Sequence, residues 1–259
     1  MTRTGNQGEL TLIEHLVELR SRIIKALLAV MLTVIALAPF ARQLYAIFSE
    51  PLASQLPEGS SMIAIDVTSP FFAPFKLVML LGLLLAMPVV LYQLWAFVAP
   101  GLYRHEQRLA KPLLGASVAL FYAGCAFAYF VVFPVIFAFF TAMAPEGVAV
   151  MTDINRYLDF VLTLFIAFGV AFQVPVVTIV LVAIGAVTPD GLAQVRGYVV
   201  IGVFTLAMLV TPPDMFSQTL LALPVWLLYE LGIMMSRVLV TNPRAAESRS
   251  AEEDSERES

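Results

Sequence analysis

Residues 160–189 read FVLTLFIAFGVAFQVPVVTIVLVAIGAVTP, thirty positions without a charge. A helix rises 1.5 Å per residue, and about 20 apolar residues cross roughly 30 Å of hydrocarbon. The stretch is therefore long enough to span a bilayer. Outward from it, residues 26–41, 77–103, 112–145, 197–213 and 215–229 also lack charge. Six such runs in 259 residues leave no room for a separate soluble domain. The composition agrees: 60% of residues are hydrophobic, 13% are charged and mean hydropathy is +0.88. Ordinary soluble domains carry about 25% charged residues, and here too little polar residue remains to coat a water-soluble globule. The fold class is an all-α integral membrane protein.

The runs predict six helices, over 23–47, 76–99, 112–143, 156–185, 197–210 and 215–238. An amphipathic segment, 1–22, precedes them. The first span counts the apolar residues on both sides of its uncharged run, with Lys25 and Arg42 snorkelling to the interfaces. The third would be about 50 Å long if wholly helical, so it must tilt or bend near Pro134. The last two are expected to be short, and the fifth reaches only about 20 Å, which implies local bilayer thinning or a re-entrant hairpin. From 239 the chain is Ser/Glu/Arg-rich with almost no apolar residue, the composition of a disordered tail.

Lys and Arg set the orientation. With the N-terminus inside, twelve of the fifteen lie in segments on that side, and only Arg42, Lys76 and Arg156 lie outside. That asymmetry follows the positive-inside rule and places both termini in the cytoplasm. Ala36-Leu-Ala38 resembles a signal-peptidase site, but Pro39 and a 25-residue basic region before the apolar stretch argue against cleavage. Val240–Ser259 holds three Arg and six acids, hence −3 of the net −4. The nearly neutral body has no basic face for nucleic acid.

No GxSxG, P-loop, HExxH or GxGxxG motif occurs. The two histidines, His15 and His105, flank the spans rather than occupy them, and Cys125 reads as a small core residue. No Cys/His cluster has metal-ligand spacing. No catalytic residue, metal or cofactor is expected, and the job is binding and translocation. Pro88-Val-Val and Pro175-Val-Val recur without further alignment, so an inverted-repeat transporter is not supported. No Gly-xxx-Gly pair appears.

Several polar residues stand out against the apolar background. In Leu12–Arg22, Glu14, His15, Glu18, Ser21, Arg22 and Lys25 form one helical stripe; Leu12, Leu16, Leu19 and Ile23 form the opposite face, with Arg20 on that side. An interfacial entry helix accounts for the pattern. Between spans two and three, Glu106 sits among Arg104, His105 and Arg108, as a solvated acid paired with its neighbours would. Thr211-Pro-Pro-Asp214 has the composition of a helix cap: Thr at the N-cap, Pro in the first turn and an acid three residues on. Gln173, two residues before Pro175, needs a partner inside lipid, so its face is expected to meet another helix. Glu230 lies on roughly the same face as Arg237; it either snorkels to the interface or is functional at that depth.

Five segments, in order and across all six spans, resemble the TatC family, the polytopic subunit of the twin-arginine protein translocase. They are His15-Leu-Val-Glu-Leu-Arg20, Asp66-Val-Thr-Ser-Pro-Phe-Phe72, Phe97-Val-Ala-Pro-Gly-Leu-Tyr-Arg-His-Glu106, Phe168-Gly-Val-Ala-Phe-Gln-Val-Pro175 and Thr211-Pro-Pro-Asp-Met-Phe-Ser-Gln218. The resemblance implies a concave, non-closed bundle in the bacterial cytoplasmic membrane, receiving signal peptides that carry two consecutive arginines. It implies that Glu18 and Glu106 bind those arginines, that Arg20 and Arg108 orient the acids or limit repulsion between them, and that His15 and Phe97 belong to the same surface. Pro51 matches a further family position. Contacts with the single-span partners TatA and TatB, within a larger self-associated complex, are implied for Met208, Thr211, Asp214, Gln218 and Glu230. Gln173 departs from the family, where glutamate is frequent, so its role is restricted to hydrogen bonding. The rival class, a secondary transporter of a small solute, calls for charged ligands at the membrane midplane; here the acids cluster at the two surfaces.

Overall fold

The computed structural model describes residues 5–53, 62–98, 110–143, 152–210 and 214–239. Ten α-helices are found among them: α1 (Gly5–Leu37), α2 (Ala41–Ala53), α3 (Ser69–Val98), α4 (Ala110–Phe127), α5 (Phe133–Ala142), α6 (Ile154–Ala171), α7 (Val174–Ala183), α8 (Pro189–Gln194), α9 (Arg196–Val210) and α10 (Met215–Leu239). The only strands among the described residues, β1 (Met62–Ile63) and β2 (Thr152–Asp153), form a two-residue parallel pair. Five helical segments are long and apolar enough to cross a membrane: His15–Ile47, Ser69–Val98, Lys111–Phe140, Ile154–Ala183 and Met215–Leu239. Span five, α9, is short as expected from the sequence, whereas span six, α10, also expected to be short, runs 25 residues because its helix continues past Glu230 to Leu239.

Proline and its missing N–H explain most of the interruptions. A 3-10 turn, Ala38–Phe40, joins α1 to α2 where Pro39 sits. Span three does not simply bend at Pro134. Instead a π-helical turn, Ala128–Val132, absorbs the mismatch, and the N–H of Phe133 donates to the Ala128 carbonyl five residues back. Span four breaks just before Pro175. Phe172 and Gln173 form a turn, and Pro175 opens α7 in the first-turn position that tolerates it.

Span two begins at Ser69, seven residues before the position expected. Pro70 takes the first helical turn, where its absent N–H costs nothing. Lys76 therefore lies two turns inside the helix, not at its flank.

Span one leans on span two: Thr33 Oγ1 donates to the Gly82 carbonyl at 2.8 Å. A Cβ at position 82 would stand 2.5 Å from Val34 Cγ2, so only glycine admits this approach. Gly232 plays the same part between α10 and α7, where an added Cβ would come within 2.9 Å of Pro175 Cα. Small residues thus bring helix backbones together without a Gly-xxx-Gly motif. Spans three and four share an aromatic core in which Phe121, Ile136, Leu164 and Phe168 are fully buried. Cys125 is buried in that core. Span six packs on both α7 and α9.

Candidate functional site

Two separate polar regions emerge, at opposite ends of the spans. At the first, α1 carries His15 and Glu18 one turn apart, hence on one face. The His15 ring stacks on Phe97, the last turn of span two, with centroids 4.4 Å apart and planes at 27°. Two segments more than eighty positions apart in sequence therefore meet. Glu18 Oε1 accepts from Arg22 Nε at 2.9 Å and from Arg22 Nη2 at 2.6 Å. Its side chain stays 38% exposed, so the pair is worth about 0–1 kcal/mol.

Arg22 pairs with Glu18 because a four-residue helical spacing aligns side chains; Arg20, two residues from Glu18, lies on another face. Arg20 is exposed. Glu106 and Arg108 lie outside the described residues. Pro51 falls within α2.

At the other end, Asp214 is itself the N-cap of α10, not the third-position acid. Its Oδ1 accepts from the Ser217 N–H at 2.7 Å, and its carbonyl accepts from the Gln218 N–H. Thr211 lies outside the described residues. Phe216 stacks on Phe139 with centroids 4.3 Å apart, fixing span six against span three. Gln218 Nε2 donates to the Phe204 carbonyl at 2.9 Å, joining spans five and six. Met208 is 57% exposed. Near it on the same two helices, Val203, Phe204, Ala222, Leu223 and Trp226 line an apolar groove of about 240 Å³.

Between these ends lies a polar junction that the sequence reading only half anticipated. Trp95 Nε1 donates to Ser117 Oγ at 2.8 Å, and that hydroxyl donates to the Leu113 carbonyl at 2.7 Å. Gln173 Nε2 donates to the Ser117 carbonyl at 2.9 Å. Gln173 does meet another helix, as its lone amide required. Ser117 and Trp95 were missed, although Ser117 is one of very few polar residues in the 112–145 run.

Glu230 does not pair with Arg237. Arg196 takes it in a two-point contact, Nε to Oε1 at 2.6 Å and Nη2 to Oε2 at 2.7 Å. Arg237 reaches Asp190 instead, at 2.9 Å. Along a helix, residues 230 and 237 are two turns apart, about 10 Å, beyond direct contact. Tyr229 Oη adds a bond to the Leu192 carbonyl. Three contacts thus clamp the elbow around α8 to span six. Its signal was legible in Thr188-Pro189-Asp190: Thr188 Oγ1 accepts from the Gly191 N–H, and Pro189 occupies the first turn.

Together these features define a polytopic membrane protein whose polar groups serve helix ends and helix junctions. Among the described residues, no group of three or more His, Cys, Asp or Glu could hold a metal ion. The profile of the family described as "Sec-independent protein translocase protein (TatC)" matches residues 14–224. A relative of that description from Azotobacter chroococcum mcd 1 is 58% identical over 231 residues, covering 89% of this chain and 91% of its own. The one from Escherichia coli (strain K12) is 53% identical, covering 91% of this chain and 92% of its own. The crystal structure of the twin arginine translocase receptor TatC matches with a TM-score of 0.78 and 36% identity, over 87% of this chain and 99% of that one. The chain belongs to the TatC family, and is a component of the Tat protein translocase rather than an enzyme.

The Arg196–Glu230 contact yields a direct test. Alanine at either position should lower thermal stability in detergent, and a double-mutant cycle should return a coupling of about 1 kcal/mol. Additive effects would show that the two-point contact does not contribute.

Proposed function

We propose that this chain is the signal-peptide receptor and core subunit of the twin-arginine translocase in the bacterial cytoplasmic membrane, with both termini cytoplasmic. The observation that supports the binding site best is the His15–Phe97 stack with Glu18 one turn away. It joins the amphipathic N-terminus to the segment that leads into Glu106 and Arg108. The positive-inside asymmetry places that patch on the cytoplasmic side.

A guanidinium presents a planar fork that a carboxylate accepts at two points, and lysine has no such fork. Glu18 and Glu106 each receive one arginine of the pair. Arg22 keeps the Glu18 carboxylate oriented until a peptide arrives, and the exchange of one exposed guanidinium for another costs little. Arg20 and Arg108 limit repulsion between the acids. Two exposed ion pairs give only about 0–2 kcal/mol. The apolar segment of the signal peptide therefore contributes most of the affinity, and binding is reversible.

The opposite end serves the single-span subunits TatA and TatB. Met208, Thr211, Asp214 and Gln218 are the partner positions the family resemblance implies, and spans five and six also present an apolar groove, lined by Val203, Phe204, Ala222, Leu223 and Trp226, onto which a partner helix fits. The Gln218 amide, now bonded to the Phe204 carbonyl, exchanges that partner for a polar group on the incoming helix. Glu230 and Gln173 act within the chain, one at the α8 elbow and one at the break in span four.

Titration of the detergent-purified protein with a twin-arginine signal peptide and its twin-lysine counterpart tests the receptor site. The arginine peptide should bind more tightly, and Glu18→Lys or Glu106→Lys should abolish the difference while the protein still folds. Selective binding retained by Glu106→Lys would remove that residue from the site. For the partner surface, cysteines flanking Gln218 should form disulfides with a single-span subunit carrying cysteine in its membrane helix. Failure at every flanking position would refute the contact.

A further inference from the structure

A second polar feature lies apart from both surfaces, along the seam between α3 and α6 at the β1–β2 end. Asn155, Asp159 and Thr163 recur every four residues on α6, so they stack on one face. Asn155 Nδ2 donates to Ser69 Oγ at 2.5 Å, and Ser69 is fully buried at the first turn of α3. One to two turns further in, Lys76 Nζ meets Asp159 Oδ1 at 2.6 Å. The Thr163 hydroxyl donates to the Asp159 carbonyl.

Two observations indicate what fills this seam. Asp153, at the N-cap of α6, is 8% exposed, yet among the described residues its Oδ1 has no hydrogen-bond partner, and neither has Asn155 Oδ1. Asp153 does not use its side chain to cap its own helix. Buried acceptors of this kind need a donor, and water supplies it where a path to the aqueous phase exists. Independently, Asp159 keeps 55% of its side chain exposed and Lys76 35%, although both lie inside apolar spans. A half-exposed ion pair facing hydrocarbon is strongly disfavoured, whereas one facing water is not. On the other side of the seam, Ala73, Leu77 and Leu158 form a dry cluster.

We infer that spans two and four enclose a water-filled inlet, running from Asp153 and Asn155 past the Lys76–Asp159 pair to Thr163. Its depth, from residue 155 to residue 163 of one helix, is about 12 Å. Water entering so far shortens the apolar path through this part of the protein from the β1–β2 side. Lys76 and Asp159 hold the two helices at that spacing while both remain solvated.

The test uses single cysteines in a Cys125→Ala background, in sealed proteoliposomes, with a membrane-impermeant maleimide on the β1–β2 side. Thiol reactivity requires solvent access and thiolate character, so Thr163→Cys should label at least about tenfold faster than Phe75→Cys. Phe75 is exposed on α3, off the seam and nearer its helix end. Equal or slower labelling at position 163 would overturn the inlet. In the same background, Asp159→Asn should fold and leave Thr163→Cys reactive, because water continues to solvate Lys76. Loss of the folded protein on that single neutralisation would show a lipid-facing pair and overturn it as well.

Discussion

Ser117 carries more of the architecture than its size indicates. Inside hydrocarbon, water is not there to satisfy a polar group, so each must find its partner within the protein. Ser117 receives the Trp95 N–H from span two, returns its own proton to the Leu113 carbonyl, and offers its backbone oxygen to Gln173 of span four. One residue links three spans at the level where span four is broken. The break is possible because Pro175 has no N–H to give and Gln173 has an amide to spend elsewhere. An amide donates at any pH, so this junction holds without a proton being gained or lost.

Helix number, helix type and most boundaries were legible in the sequence because charge marks where a span ends. Two starts were exceptions: span one, expected from 23, belongs to a helix continuous from Gly5, and span two starts at Ser69 instead of 76. Lys76 was counted as a flanking charge, whereas Ser69-Pro70 starts the helix earlier and the lysine is retained inside by Asp159. Charge gaps locate spans only when each charge sits in water, and an interhelical ion pair breaks that assumption. The π-turn before Pro134 was also beyond reach. Sequence shows that a proline must disturb the helix but not whether the disturbance appears as a kink or as a wider turn.

Site residues divide along the same line. Gln173 was legible as needing a helix partner, since a lone amide in an apolar run has few alternatives. Its actual partner, a backbone carbonyl, leaves no mark in the sequence. Pairings between distant residues were the hardest: Glu230 was read as snorkelling or functional at its depth, and its partner, Arg196, comes from the elbow that α8 creates. Glu18 was matched to a family position, while plain helical spacing selects Arg22. Motifs drew attention to particular residues, and only the fold shows which side chains each one meets.

The two ends of the bundle are built differently, as the proposed receptor and partner-recruiting roles require. At the His15 end the groups are charged, exposed and weakly paired, so an incoming arginine can exchange with them. At the Asp214 end they are capped and stacked, beside a dry groove. The most direct measurement is photocrosslinking from a photoreactive side chain at Leu19 in the full translocase, with a twin-arginine signal peptide as ligand. Leu19 neighbours Glu18 without taking part in the ion pair. Crosslinks to the peptide segment around its arginine pair, lost with the twin-lysine peptide, are the predicted result. Equal crosslinking of both peptides, or none to that segment, would contradict an arginine-reading patch at this end.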